Sequence, residues 1–137
     1  MSQLLGIDHI AIAVHNLKES LAVFETALGI KLLGTETLTP RGLETAFLQA
    51  GTTRIELVAP ITETSEVSGF LEKRGEGLHH LCLRVEELRG ALARLSEKGF
   101  RLIDAQPRPG AHGTEVAFVH PKSTHGVLIE LVGKGGS

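Results

Sequence analysis

An internal repeat limits what this chain can fold into more than any other feature, because a duplicated unit fixes the order of elements in both halves at once. Residues 6–14 read GIDHIAIAV and residues 77–85 read GLHHLCLRV, an offset of 71 that places His9 on His80. GLETAFL at 42–48 returns as GTEVAFV at 113–119 at the same offset, which places Glu44 on Glu115. IELV at 55–58 recurs letter for letter at 129–132, now at an offset of 74, so Glu56 falls on Glu130. The three additional residues belong to the turn HPKSTHGV before the last strand, where an insertion costs little.

Between these strands each half carries a helical pattern. Leu17, Leu21, Phe24 and Leu28 recur at helical spacing behind Asn16 as N-cap and Glu19 at N3, and Gly29 closes the run. Leu88, Leu92 and Leu95 repeat the stripe, with Gly99 at its end. Val67, Phe70 and Leu71 predict a short connecting helix in the linking stretch. The fold class is therefore α+β: two βαβββ modules, 5–59 and 76–133, joined by a helical linker at 60–75 within one domain spanning 1–137.

Bulk properties agree with one ordinary domain and exclude several classes of function. The chain has 137 residues, enough to bury a real core, and at 42% hydrophobic it is too apolar to stay disordered. Fourteen basic against sixteen acidic residues provide no concentrated positive field, so no nucleic-acid or anionic-membrane partner is expected. With Cys82 as the only cysteine, no internal disulfide can form. MSQLLGIDHIAIAV lacks the features of a signal peptide and no apolar stretch reaches membrane-spanning length, which together predict a cytoplasmic protein.

Strand alternation then places the chemistry. Ile10, Ile12 and Val14 share one face of the first strand and offer a seat for the helix, so His9, Ala11 and Ala13 occupy the other face. In the second copy Leu81, Leu83 and Val85 lie opposite His80, Cys82 and Arg84. Glu56 and Glu130 likewise point away from Ile and Leu in mid-strand, where a carboxylate is costly to bury without a partner. If the halves pack about a pseudo-twofold axis, His9, Glu56, His80 and Glu130 meet around one divalent cation. Imidazole with carboxylate favours Zn, Fe, Co, Ni or Mn. His79 should point to the far side of its strand, and His15, His112, His120 and His125 have no repeat partner, so structural or exposed roles are expected for them.

With two such modules and this His/Glu/His/Glu set, the chain resembles the vicinal oxygen chelate (glyoxalase/bleomycin resistance/dioxygenase) superfamily from about Leu5 to Val132. Within it, DHIAIAV, GLHHLCLRV, GAHG at 110–113 and HPKSTHGVLIEL at 120–131 look most like the methylmalonyl-CoA epimerase family; glyoxalase I usually carries a DPDG-like turn where HPKS stands here. The resemblance implies a partly open, cupped eight-stranded barrel around a metal ion, Co, Mn, Ni, Zn or Mg. It implies His9, His80 and Glu130 as ligands with Glu56 at the fourth place, where some relatives have glutamine. It also implies an acyl-CoA substrate and a homodimer.

The activity implied is isomerisation: interconversion of (2R)- and (2S)-methylmalonyl-CoA by proton transfer at C2 through a metal-stabilised enolate. Glu44 is expected to serve one face of the reacting carbon and Glu130 the other, with Glu44→Gln lowering turnover at intact metal content; Glu115 is a substitute for Glu44 in principle, but a solvated strand-edge carboxylate is the preferred reading of it. Lys122 and Ser123 are candidates for touching the CoA arm. Two alternatives remain open on the residues: a glyoxalase I-like lyase or isomerase acting on a glutathione adduct, and a metal-free protein that sequesters a small molecule.

Overall fold

The aliphatic alternation of the repeats becomes eight strands in the computed structural model of the protein, which describes residues 3–134. The chain divides into two compact units, His9–His79 and the residues up to Asp8 together with those from His80 onward. Each contains the strand, helix and three strands that the repeat predicts.

In the first unit, β1 (Leu4–Ala13, which enters the unit at His9), β2 (Lys31–Leu38), β3 (Leu43–Ala50) and β4 (Thr53–Pro60) lie in the order β2-β3-β4-β1. β1 runs parallel to β4, and β2–β3 and β3–β4 are antiparallel. α1 (Leu17–Leu21) starts where the Asn16 side chain accepts the Glu19 N–H at 2.9 Å. α1 and the turn that follows it seat Leu17, Leu21 and Phe24 against Ile12, Val14, Ala46, Leu48, Leu57 and Ala59, the aliphatic faces of β1, β3 and β4. The opposite face of these strands carries Ala13, Leu43 and Val58, and these pack against Val67 and Leu71 of α2 (Glu66–Arg74).

One expectation fails at the end of the first helix. The turn Ala22–Ala27 is a π-helix, with the Leu28 N–H donating to the Val23 carbonyl at 2.9 Å. The additional residue in that turn rotates Leu28 off the apolar stripe, and it stands 62% exposed.

The second unit orders β5 (Gly77–Val85, from His80), β8 (Ile129–Gly133), β7 (Glu115–Val119) and β6 (Arg108–Pro109) as β5-β8-β7-β6. α3 (Leu88–Glu97) is capped by the Glu87 carboxylate, which accepts the Gly90 N–H, and it packs Leu88, Ala91 and Leu92 on Val85, Ala117, Val119 and Leu131. β6 keeps two residues where β2 has eight, since QPRPG places two prolines where ladder donors would be needed. Among the described residues no helix is long and apolar enough to cross a membrane.

Among the described glycines of the first unit, Gly42 has the least room for a side chain. It ends the turn Thr39–Arg41 at φ +67°, and a Cβ there would lie 2.3 Å from Thr62 Oγ1 and 3.3 Å from Ser65 Cβ, next to the start of α2. Gly42→Ala therefore combines a left-handed backbone with a clash, and should destabilise the protein by about 2 kcal/mol or more. Urea denaturation of the variant checks this; a loss of a few tenths of a kcal/mol would contradict it.

Candidate metal centre

Within the first unit the parallel pairing of β1 and β4 sets His9 against Arg54 and Ala11 against Glu56, which brings His9 diagonally to Glu56. His9 Nε2 lies 3.1 Å from Glu56 Oε1, and both residues are buried. In the second unit His80 Nε2 lies 2.8 Å from Glu130 Oε1, again with both buried. Both pairs sit in mid-strand among aliphatic neighbours, and a buried carboxylate is tolerated there only with strong compensation. Imidazole nitrogen beside carboxylate oxygen is a donor set that suits a divalent transition ion, so the residues present fit the metal expected from the sequence.

The repeat extends to each pair's surroundings in a way the letters alone do not announce. Phe47 is the register partner of Glu56 and Phe118 that of Glu130. An arginine lies over each ring: Arg54 at 5.7 Å from the Phe47 centroid and Arg108 at 5.2 Å from that of Phe118. The His80 ring meets Phe118 edge-on at 5.3 Å, which helps fix the imidazole. Asp104 accepts the Phe118 N–H at 2.9 Å and pairs with Arg108 Nε at 3.3 Å. Sequence reasoning missed these five residues, Phe47, Phe118, Arg54, Arg108 and Asp104. For the two phenylalanines the available signal was the AF dipeptide at 46–47 and 117–118, which recurs with the rest of the repeat.

Glu44 departs from expectation. It pairs with Thr37 and Ala59, and alternation along β3 puts it on the face of Ala46 and Leu48, which is the face that packs on α1. Thr45 and Phe47 occupy the Glu56 face instead. A base role for Glu44 beside the His9–Glu56 pair is at odds with this register. Its repeat partner Glu115 makes an ion pair with Arg89 of α3 at 3.0 Å, a structural role.

The remaining histidines have local surroundings of their own. His79 is buried against Phe70 at 4.8 Å. His120 Nδ1 accepts the Lys122 N–H at 3.0 Å and caps the turn Pro121–Thr124; burial, then the charges of Arg101 and Lys122, hold its pKa below the ordinary value. His112 and His125 adopt left-handed backbone at φ 57° and 56°. Ser123 Oγ accepts the Arg101 N–H at 2.8 Å, so this candidate for the CoA arm also ties its turn to the chain before β6.

Residues 8–118 match the model of the Glyoxalase/Bleomycin resistance protein/Dioxygenase superfamily. The chain is 39% identical to the ethylmalonyl-CoA/methylmalonyl-CoA epimerase of Cereibacter sphaeroides, with 91% of this chain and 95% of that one covered. The crystal structure of methylmalonyl-CoA epimerase from Mycobacterium tuberculosis superposes with a TM-score of 0.91 at 36% identity, over 97% of this chain and 90% of that one. The Streptomyces coelicolor methylmalonyl-CoA epimerase variant E43L, solved with 2-nitronate-propionyl-CoA, gives 0.91 at 34% identity over 96% of each chain. Similarity of this extent, in sequence and in backbone, means that the chain belongs to the methylmalonyl-CoA epimerase family of the glyoxalase/bleomycin resistance protein/dioxygenase superfamily.

Proposed function

We propose that this protein interconverts (2R)- and (2S)-methylmalonyl-CoA by removing and returning the proton at C2. The observation that carries the reading is the duplicated buried pair, His9 with Glu56 and His80 with Glu130, one in each unit of a chain whose relatives are named as epimerases. In this reading the modules 5–59 and 76–133 act as one domain over 1–137, and the two pairs hold a single divalent ion, drawn from Co, Mn, Ni, Zn or Mg. Bound there, such an ion would supply Lewis acidity toward the substrate's thioester oxygen and carboxylate and so lower the cost of the enolate charge.

The chain's own groups do the rest. Glu130 carries a second carboxylate oxygen that can accept or return the C2 proton on one face. His80 holds that carboxylate in place, and Phe118 fixes the imidazole from the side. Burial of both pairs excludes bulk water, which would otherwise quench the enolate without stereochemical control. The same reading takes an acyl-CoA as partner, the cytoplasm as working place, and a homodimer as the assembled form. β2 is the outermost strand of the first unit's sheet and so offers an edge for pairing.

Incubation with one epimer of methylmalonyl-CoA in deuterated water tests the activity. Deuterium at C2 together with inversion is the expected result. Absence of exchange, with turnover of a glutathione hemithioacetal instead, would transfer the protein to the glyoxalase side of its superfamily.

A further inference from the structure

Inversion at a carbon by proton transfer needs an acid or base on each side of the plane, and the register of the first unit displaces Glu44 from that task. Another carboxylate of the same sheet lies on the face of the His9–Glu56 pair. Across the four strands, Ala13, Val58, Thr45 and Glu36 are successive register partners, and Ala11, Glu56, Phe47 and Gly34 form the neighbouring row. Glu36 thus shares a face with Glu56.

Two further observations fix its orientation. Along β2, Glu36 and Leu38 are half-buried while Thr35 and Thr37 are exposed, and Leu38 packs into the cluster of Leu43, Val58 and Val67 on that same face. The register also shifts between Leu32 and Gly34, so Leu32 joins the α1 side and the residues after the bulge change faces. Without the bulge, Glu36 would point away from the His9–Glu56 pair.

The spacing sets Glu36 apart from Glu56 on that shared face. Glu36 lies two strands and one residue pair from Glu56, roughly 12 Å between backbones from strand spacings of about 4.8 Å and a rise of about 3.4 Å. Two glutamate side chains and one small acyl group can bridge that gap. On β3 between them stand Thr45 in the Glu36 row and Phe47 in the Glu56 row, while Gly34, beside Glu36 on β2, carries no side chain and a Cβ there would meet nothing within 4 Å. Thr45, 1% exposed and donating its hydroxyl to the Glu36 carbonyl at 3.4 Å, ties β2 to β3 at this point.

We propose that Glu36 is the second acid/base of the epimerisation, an assignment that rests on the activity proposed above. The Glu36 carboxylate accepts the C2 proton of one epimer, and the C–H electron pair passes into the thioester enolate. A second, protonated carboxyl, taken as Glu130 under the activity proposed above, returns a proton to the other face of the carbon and re-forms the C–H bond. The reverse reaction exchanges the two roles, so no net proton, electron or co-reactant is consumed.

Glu36→Gln in deuterated water distinguishes this from a structural role. The expected result is an inversion rate lowered by about a hundredfold or more, while one epimer still acquires deuterium at C2 with retained configuration and the other stays protiated. Bound metal should match the wild type. Should Glu36→Gln unfold, Glu36→Asp replaces it, with a smaller loss and the same asymmetry between epimers expected. Inversion at the wild-type rate, or exchange lost equally from both epimers, would overturn the assignment. So would activity lost in Glu44→Gln but kept in Glu36→Gln. Wild-type protein that neither exchanges nor inverts would overturn the underlying activity, and the assignment with it.

Discussion

Glu130→Gln should lower turnover of methylmalonyl-CoA by about a thousandfold. Glutamine keeps the size and shape of the side chain, so β8 and its packing remain, but the negative charge and the proton-accepting oxygen are gone. Glu130 is 3% exposed, and its carboxylate lies 2.8 Å from His80 Nε2, with Ile129 and Leu131 on either side in the strand. No surface group can replace it from solvent. Because the same residue is proposed as ligand and as acid/base, two losses should appear together: weaker metal retention on dialysis, and a fall in turnover that persists when excess metal is supplied. Turnover restored fully by added metal would confine Glu130 to ligation.

The largest effect on stability is expected at Leu57. It is completely buried next to Glu56 in β4 and packs with Val14, Leu17, Ala46, Leu48 and Ala59 between the sheet and α1. Leu57→Ala removes buried methyl groups and leaves a cavity that flanking strands cannot collapse, at a cost of about 2–5 kcal/mol. Against a total stability of roughly 5–15 kcal/mol for a domain, that is a large fraction. The urea midpoint should fall at unchanged slope. A shift worth less than about 1 kcal/mol would mean that this helix seat is not the main apolar support of the first unit.

Much of the molecule was legible in the sequence because duplication and strand alternation reinforce each other. GIDHIAIAV and GLHHLCLRV could be read as strands from period-two patterning, and the mid-strand charges in both IELV copies stood out because burial makes them expensive. The helix start at Asn16 followed from a local capping rule that tertiary structure had no reason to override. Both His–Glu pairs form between strands adjacent in the sheet, so correct strand identities were enough to bring them together.

What escaped depended on single-residue shifts that composition does not encode. Glu44 and Thr45 differ by one position, and that one position decides which face of β3 a carboxylate occupies. The face that Glu36 occupies was hidden by the bulge at Leu32/Gly34, which reverses the faces of β2 partway along KLLGTETL. The π turn Ala22–Ala27 has an ordinary helical sequence, yet it carries Leu28 out of its stripe. Arg54 and Arg108 come from non-equivalent places in the two halves, so a search for repeated letters could not pair them, although each ends over the phenylalanine beside its glutamate.

The metal content of purified, tag-free protein loaded with a divalent transition ion and then dialysed tests the central claim most directly. If the two His–Glu pairs serve one ion, the stoichiometry is one per chain, and His9→Ala and His80→Ala each remove most of it. Two ions per chain, or a single ion retained after either histidine is lost, would contradict the account.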